Sequence, residues 1–260
     1  MGLKGWFPFI RKKGYDPPAL PQSSIASFEH TSTRRIDVLG SFYNVIKEAY
    51  SNHALDDAHC ILERHVMSWG SRDNLILYVD GQQAIEKQHT AEIRQGNRDK
   101  ASLKCTRALD TLENRIENNL SVRKRHFTDV RTSLSLTFYW SLEARQSFVA
   151  HMTGAGCHVR FCETEADVAI AKECQPGDIV VSCDSDMMAY ASIATLLRPI
   201  SKSLFLVYDL NSVLRNLRLS RAQLTTLAIV SSNDYSSNIY SLGPAANYTI
   251  VKSLDGEGNN

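Results

Sequence analysis

The sequence predicts an open α/β fold: a mostly parallel sheet flanked by helices. Short apolar runs rich in β-branched and aromatic residues recur along the chain, and they end repeatedly in an acidic residue. The runs do not alternate with polar residues, the pattern of strands buried on both faces. Helix-compatible stretches separate them, and strands alternating with helices favour a parallel sheet. With 260 residues, 43% hydrophobic and 22% charged, the chain can fill the core of one such domain and is not disordered.

The elements follow in order. Residues 34–40 are a first candidate strand around Ile36-Asp37-Val38. Asn74-Leu75-Ile76-Leu77-Tyr78-Val79 ends at Asp80, and Cys157-His158-Val159-Arg160-Phe161-Cys162 runs into Glu163. Asp178-Ile179-Val180-Val181-Ser182-Cys183 ends at Asp184, and Ser203-Leu204-Phe205-Leu206-Val207-Tyr208 ends at Asp209. Helices are expected over roughly 41–70, 82–95, 165–175, 186–198 and 220–230. Residues 96–135 differ: Leu109, Leu112, Ile116 and Leu120 make one narrow apolar stripe on a charged helix, followed by Arg123-Lys124-Arg125-His126. This reads as a helical insertion, basic on one side. With no internal repeat or low-complexity tract, residues 1–260 are read as a single domain.

Several function classes drop out. The apolar runs, such as 134–140 and 203–208, fall far short of the roughly 18 residues a membrane span needs, so no membrane partner is expected. Arg11, Lys12 and Lys13 follow the short apolar stretch at the amino terminus, whereas an export signal is preceded by its charges. The six cysteines are irregularly spaced with no CxxC pair, which predicts reduced thiols and neither a zinc site nor a disulfide framework.

The net charge of +1 hides a segregation. Residues 36–85 carry three Lys/Arg against seven Asp/Glu, residues 86–131 eleven against seven, and residues 132–195 three against eight. Basic segments that meet a polyanion and acidic segments that gather cations would give this pattern. In an open α/β sheet, ligands bind beyond the carboxyl ends of the strands. Asp37, Asp80, Glu163 and Asp184 fall at or near such ends, Glu165 and Asp186 each lie two residues further on, and Asp234 follows the last helical run. Any one of these acids is explained as a helix cap or turn former. Gathered in one pocket they repel, and cannot all ionise without cations. Oxygen ligands without His or Cys favour two Mg²⁺ ions, with Mn²⁺ able to substitute.

These residues resemble the flap endonuclease/XPG-like family of structure-specific 5′ nucleases, which share a PIN-like fold with a helical arch. The resemblance rests on the Met1-Gly2-Leu3-Lys4-Gly5 start, Ile36-Asp37-Val38, Tyr78-Val79-Asp80-Gly81, Glu163-Thr164-Glu165-Ala166-Asp167, Asp184-Ser185-Asp186 and Ser232-Asn233-Asp234-Tyr235. It implies that Asp37, Asp80, Glu163 and Glu165 form one group of metal ligands, and Asp184, Asp186 and Asp234 a second. It also implies that Lys87 and Arg94, seven apart and on one helix face, contact the scissile phosphate. Tyr43 would stack on the base beside the cut, and Gly2 would lie near the active site. Residues 96–135 would be the arch, with Arg98, Lys100, Lys104, Arg107, Arg123, Lys124 and Arg125 as a phosphate track.

The resemblance implies metal-dependent hydrolysis of DNA with 5′ flaps, single strands or branches, leaving 5′ phosphates, in nuclear DNA repair. RNA cleavage by the same site, a cytoplasmic location, and a non-catalytic nucleic-acid scaffold are the alternatives. A scaffold would be expected to lose carboxylates, and none of the seven is missing. One departure stands out: residues 217–260 make a shortened counterpart of the family's duplex-gripping helical hairpin, with Ser241 where Gly is common. Without Gly, close backbone approach is lost.

Overall fold

The computed structural model describes residues 5–22, 32–201, 203–231 and 242–254. Among them the strands are β1 (Ala19–Pro21), β2 (Arg34–Asp37), β3 (Leu75–Val79), β4 (His158–Phe161), β5 (Ile179–Val181), β6 (Thr195–Ser201) and β7 (Leu204–Asp209). They form one sheet in the order β1-β7-β6-β5-β2-β3-β4. From β6 through β4 all neighbours are parallel, with β7 and then β1 added antiparallel at one edge. The chain passes from β2 outward through β3 to β4, then crosses to the other side of β2 to lay down β5 and β6. The order therefore reverses at the β2/β5 boundary, where open sheets leave a crevice at their carboxyl ends.

Helices cover both faces, as the non-alternating strands require. On one face α2 (Val38–Asn52), α3 (Leu55–Met67) and α6 (Leu142–Gly154) bury Phe42, Ile46, Leu62, Val66 and Phe148 against Ile36, Leu75, Leu77 and Val79. On the other, α1 (Trp6–Lys12), α7 (Ala166–Glu173), α8 (Leu210–Leu217), α9 (Arg221–Val230) and α10 (Pro244–Ser253) close over Tyr78, Val180, Leu196 and Tyr208. Successive residues of β3 thus serve opposite layers, the period-2 consequence of the pleat. The insertion forms a helical hairpin of α4 (Gln88–Glu117) and α5 (Lys124–Ser135), whose shared interface buries Ala101, Cys105, Leu112, His126 and Ser133. All six cysteines carry free thiols. None of the described helices is long and apolar enough to cross a membrane.

The structure differs from the sequence expectation in three places. Residues 195–201 are strand β6 and not the end of a helix over 186–198; only Ser185–Ala189 makes a short 3-10 turn. Leu196 and Leu197 are both fully buried, on opposite faces of the sheet, so pairing with β5 overrides the local pattern. The stretch 41–70 is two helices, broken between Asn52 and Leu55 so that α3 folds back on α2. Finally, α4 is continuous across the expected boundary at residue 96.

One buried polar network sits inside this framework. Arg35 Nε donates to Asp178 Oδ2 at 2.6 Å, its Nη1 donates to the Tyr78 hydroxyl, and that hydroxyl donates to Glu173 Oε2 at 2.9 Å. It fastens β2, β3, α7 and the start of β5 together. Asp178→Ala, which strips the buried Arg35 guanidinium of the carboxylate its Nε bonds, should cost about 3 kcal/mol. A urea unfolding curve would show it as a lower midpoint at unchanged slope.

Candidate active site

The carboxyl ends of β2, β3, β4 and β5 converge on a cleft of about 580 Å³. Asp37 is the last residue of β2 and the cap of α2: its side chain accepts from the Gly40 amide at 2.9 Å. Its other oxygen accepts from the Ser182 hydroxyl at 2.7 Å, and the same hydroxyl accepts from the Asp184 amide at 2.9 Å. Ser182, fully buried, thus ties the ends of β2 and β5 together. Gly40 is required here, because a Cβ would lie 2.0 Å from Asp37 Oδ2 and 2.7 Å from Ser182 Oγ. Asp184 in turn caps the following turn by accepting from the Asp186 amide at 3.0 Å.

Asp80 follows β3 and accepts from the Ala166 amide at 2.8 Å, at the start of α7. The β3 exit is pinned from two sides. Gly81 lies against the β4 exit, where a Cβ would sit 1.8 Å from the Cys162 carbonyl oxygen. Arg145 of α6, buried, donates to the Asp80 and Gly81 carbonyls at 2.9 and 2.7 Å. Glu165, largely buried, receives a hydrogen bond from Lys87 Nζ.

Of the acids singled out in the sequence, Asp37, Asp80, Glu165 and Asp184 line the cleft. Glu163 does not: it is exposed, and its carbonyl accepts from the Gln82 amide at 2.9 Å. Asp167, the last residue of the quoted Glu163–Asp167 motif, is buried and does line the cleft, with Tyr190 donating to it at 3.2 Å. Asp186 is buried and outside the lining. Asp234, Gly2 and Ser241 lie outside the described residues. Lys87, Arg94, Arg98 and Tyr43 all line the cleft. Lys87 ends a short 3-10 turn just before α4, so it and Arg94 do not share one helix as the spacing suggested. Lys100, Lys104, Arg107, Arg123, Lys124 and Arg125 are exposed on the α4–α5 hairpin, away from the cleft lining. Arg145 and Ser182 escaped sequence reasoning. An Arg inside a helix carries no local signal, and the Ser lies within an apolar strand pattern.

The electrostatics are those of crowded anions. Burial, reinforced by the charges of Asp80 and Asp184, pushes Asp37 up to about 8 against the hydrogen bonds from Gly40 and Ser182. Burial also raises Asp80 to about 6, with Asp167 and Glu165 adding to the rise and the Ala166 amide and Arg145 opposing it. Burial pushes the Cys183 thiol up as well, so it lines the cleft as a neutral group. Among the described residues, no three His, Cys, Asp or Glu side chains are drawn tightly enough together to cage a metal as they stand. The carboxylates nevertheless suit hard divalent cations: every donor is an oxygen, and burial holds Asp37 and Asp80 above the ordinary carboxylate range.

Solved structures place the architecture. The catalytic core of Rad2 in complex with DNA substrate superposes with a TM-score of 0.61 at 15% identity, over 98% of this chain and 70% of that one. The fold is that of the flap endonucleases. Flap endonuclease-1 from Methanococcus jannaschii matches with a TM-score of 0.55 at 18% identity, over 92% of this chain and 76% of its own. Human GEN1 in complex with Holliday junction DNA matches with 0.58 at 13%, over 98% of this chain and 56% of its own. No family model and no curated protein matches the flap-endonuclease-like chain by sequence.

A pH dependence follows from the raised carboxylates. Asp37 holds its proton more tightly folded than unfolded, where the ordinary value is 3.8. Its favourable contribution to metal-free stability is therefore full below about pH 4 and lost as pH rises toward about 8. In EDTA, Asp37→Asn should melt higher than wild type at pH 8, with the difference shrinking toward pH 5. Equal melting temperatures across that range would contradict the assignment.

Proposed function

We propose that this protein is a divalent-metal-dependent nuclease that hydrolyses phosphodiester bonds in DNA, acting on 5′ flaps, single strands or branched junctions. The observation that carries the reading is one cleft where Asp37, Asp80, Glu165, Asp167 and Asp184 face the cations Lys87, Arg94 and Arg98. Neighbours of the same fold include a Rad2 core and a GEN1 held in complex with DNA. Mg²⁺ or Mn²⁺ is the proposed cofactor, held by these carboxylates. Asp167 is added to the ligand set in preference to the exposed Glu163. When bound, such cations activate water and stabilise the charge that develops on a phosphodiester.

The chain's own groups divide the remaining work. Lys87 and Arg94 offer positive charge where a phosphate would enter, so that negative charge gathering in the transition state is met by fixed cations. Tyr43, 44% exposed at the cleft wall, offers a ring face to an adjacent base. Arg145 and Ser182 hold the strand ends in place, so the carboxylates stay together despite their repulsion. The basic α4–α5 hairpin supplies a salt-sensitive approach for a polyanion.

End-labelled flap, bubble, duplex and single-stranded substrates, as DNA and as RNA, incubated with Mg²⁺, Mn²⁺ or EDTA test this directly. Metal-dependent DNA cleavage that disappears in the Asp184→Ala/Asp186→Ala protein is expected, with substrate binding retained because repulsion is removed. No cleavage of any substrate would overturn the nuclease reading, and cleavage of RNA alone would overturn the choice of DNA. Lys87→Ala should lower turnover by roughly 10²–10³, the usual loss for one electrostatic stabiliser. An unchanged rate would return Lys87 to an ordinary ion pair with Glu165.

A further inference from the structure

The segment Phe138-Tyr139-Trp140 joins α5 to α6, and its three consecutive aromatics have three different fates. Trp140 is buried in the core against Phe148, with ring centroids 5.6 Å apart. Phe138 packs on Tyr43 with centroids 6.1 Å apart, nearly edge-on at 66°. Tyr139 turns the other way, toward the insertion: the Arg98 guanidinium stands over its ring, 4.8 Å from the centroid. All three line the cleft with the carboxylates, yet Tyr139 is 57% exposed.

The open ring thus stands at the rim of a cleft that carries both carboxylates and cations. The cation over the ring is itself hydrogen-bonded along α4. Arg98 donates from Nε and Nη2 to Gln95 Oε1 at 3.2 and 2.6 Å, and Gln95 donates onward to Asp99 at 2.7 Å. Arg98 sits one helical turn beyond Arg94, so the cation over the ring continues the row that begins at Lys87. An aromatic face next to a line of cations, spaced along a groove, is the arrangement that holds single-stranded nucleic acid. The cations take phosphates and the ring takes a base.

We infer that Tyr139, mounted on Arg98, is a second base-stacking platform of the cleft, which engages an unpaired nucleobase and selects single-stranded over duplex substrate. This rests on the nuclease reading and deepens it: Tyr43 and Tyr139 both line the one cleft and both stay open, and each is assigned an unpaired base. A paired base inside a duplex has its faces covered by its neighbours and offers none to either ring. Tyr139 is a positioning residue; it takes no part in bond cleavage.

The test is equilibrium binding in EDTA, independent of chemistry, with a short single-stranded oligonucleotide that carries one 2-aminopurine. Stacking on tyrosine quenches this base, so wild type should quench it when the base occupies one particular position along the strand. Tyr139→Leu should relieve the quench and weaken single-strand binding by roughly 5- to 150-fold, the range for one lost aromatic stack. Tyr139→Phe should retain both, and binding of a blunt duplex should be unchanged in either variant. Unchanged quenching and affinity in Tyr139→Leu would overturn the inference while leaving metal-dependent cleavage intact. Equal losses on duplex and single strand would overturn it too, since they would report a structural role. Absence of cleavage in wild type, with Tyr139-dependent quenching preserved, would instead remove the nuclease reading and leave the stacking site.

Discussion

Asp37 sits buried at the end of the middle strand of the parallel part of the sheet, with Asp80 and Asp184 close enough to raise its proton affinity. A sequence tolerates such a group only if the surrounding backbone holds it there. Much of the architecture around the cleft does this. The Gly40 amide and Ser182 hydroxyl bond Asp37 directly, and the Ala166 amide bonds Asp80. Arg145 reaches from the opposite layer to clamp the two carbonyls at the β3 exit. Two glycines have no side chain because a Cβ would collide with the site itself. The anions are thus held together by neutral donors, by Arg145 at the neighbouring carbonyls and by Lys87 on Glu165.

The same logic explains how the insertion is attached. The α4–α5 hairpin meets the main body through the cleft, with Lys87 at its root paired with Glu165 and Arg98 over Tyr139. Lys47 of α2 donates to Ser135 at the far end of α5, at 3.1 Å. Its own interface buries Leu112 among small residues and a histidine, a thinner apolar seam than the cores on the two faces of the sheet. It carries basic side chains outward and brings cations to the edge of an anionic pocket. That polarity sets anions fixed on the sheet against cations brought by an inserted hairpin, and it is what the proposed nuclease reading draws on.

The sequence by itself determined the fold class, because most of its apolar runs without alternation are strands between helices, and their acidic ends marked the rim of the sheet. It also marked Asp37, Asp80, Glu165 and Asp184 as neighbours, since the carboxyl ends of parallel strands share one edge. What it left undecided turned on the third dimension. Glu163 and Asp167 flank Glu165 symmetrically in sequence, and only the turn into α7 decides that Asp167 faces the cleft and Glu163 faces solvent. Residues 195–198 read locally as the end of a helix and became strand because β5 offered an open edge whose hydrogen bonds had to be filled. Arg145, Ser182 and Tyr139 act through partners 65, 145 and 41 residues away, a distance no local pattern encodes. Residue type and period give a chain its layers; which side chain ends beside which depends on the crossing of strands, and that is settled only when the sheet closes.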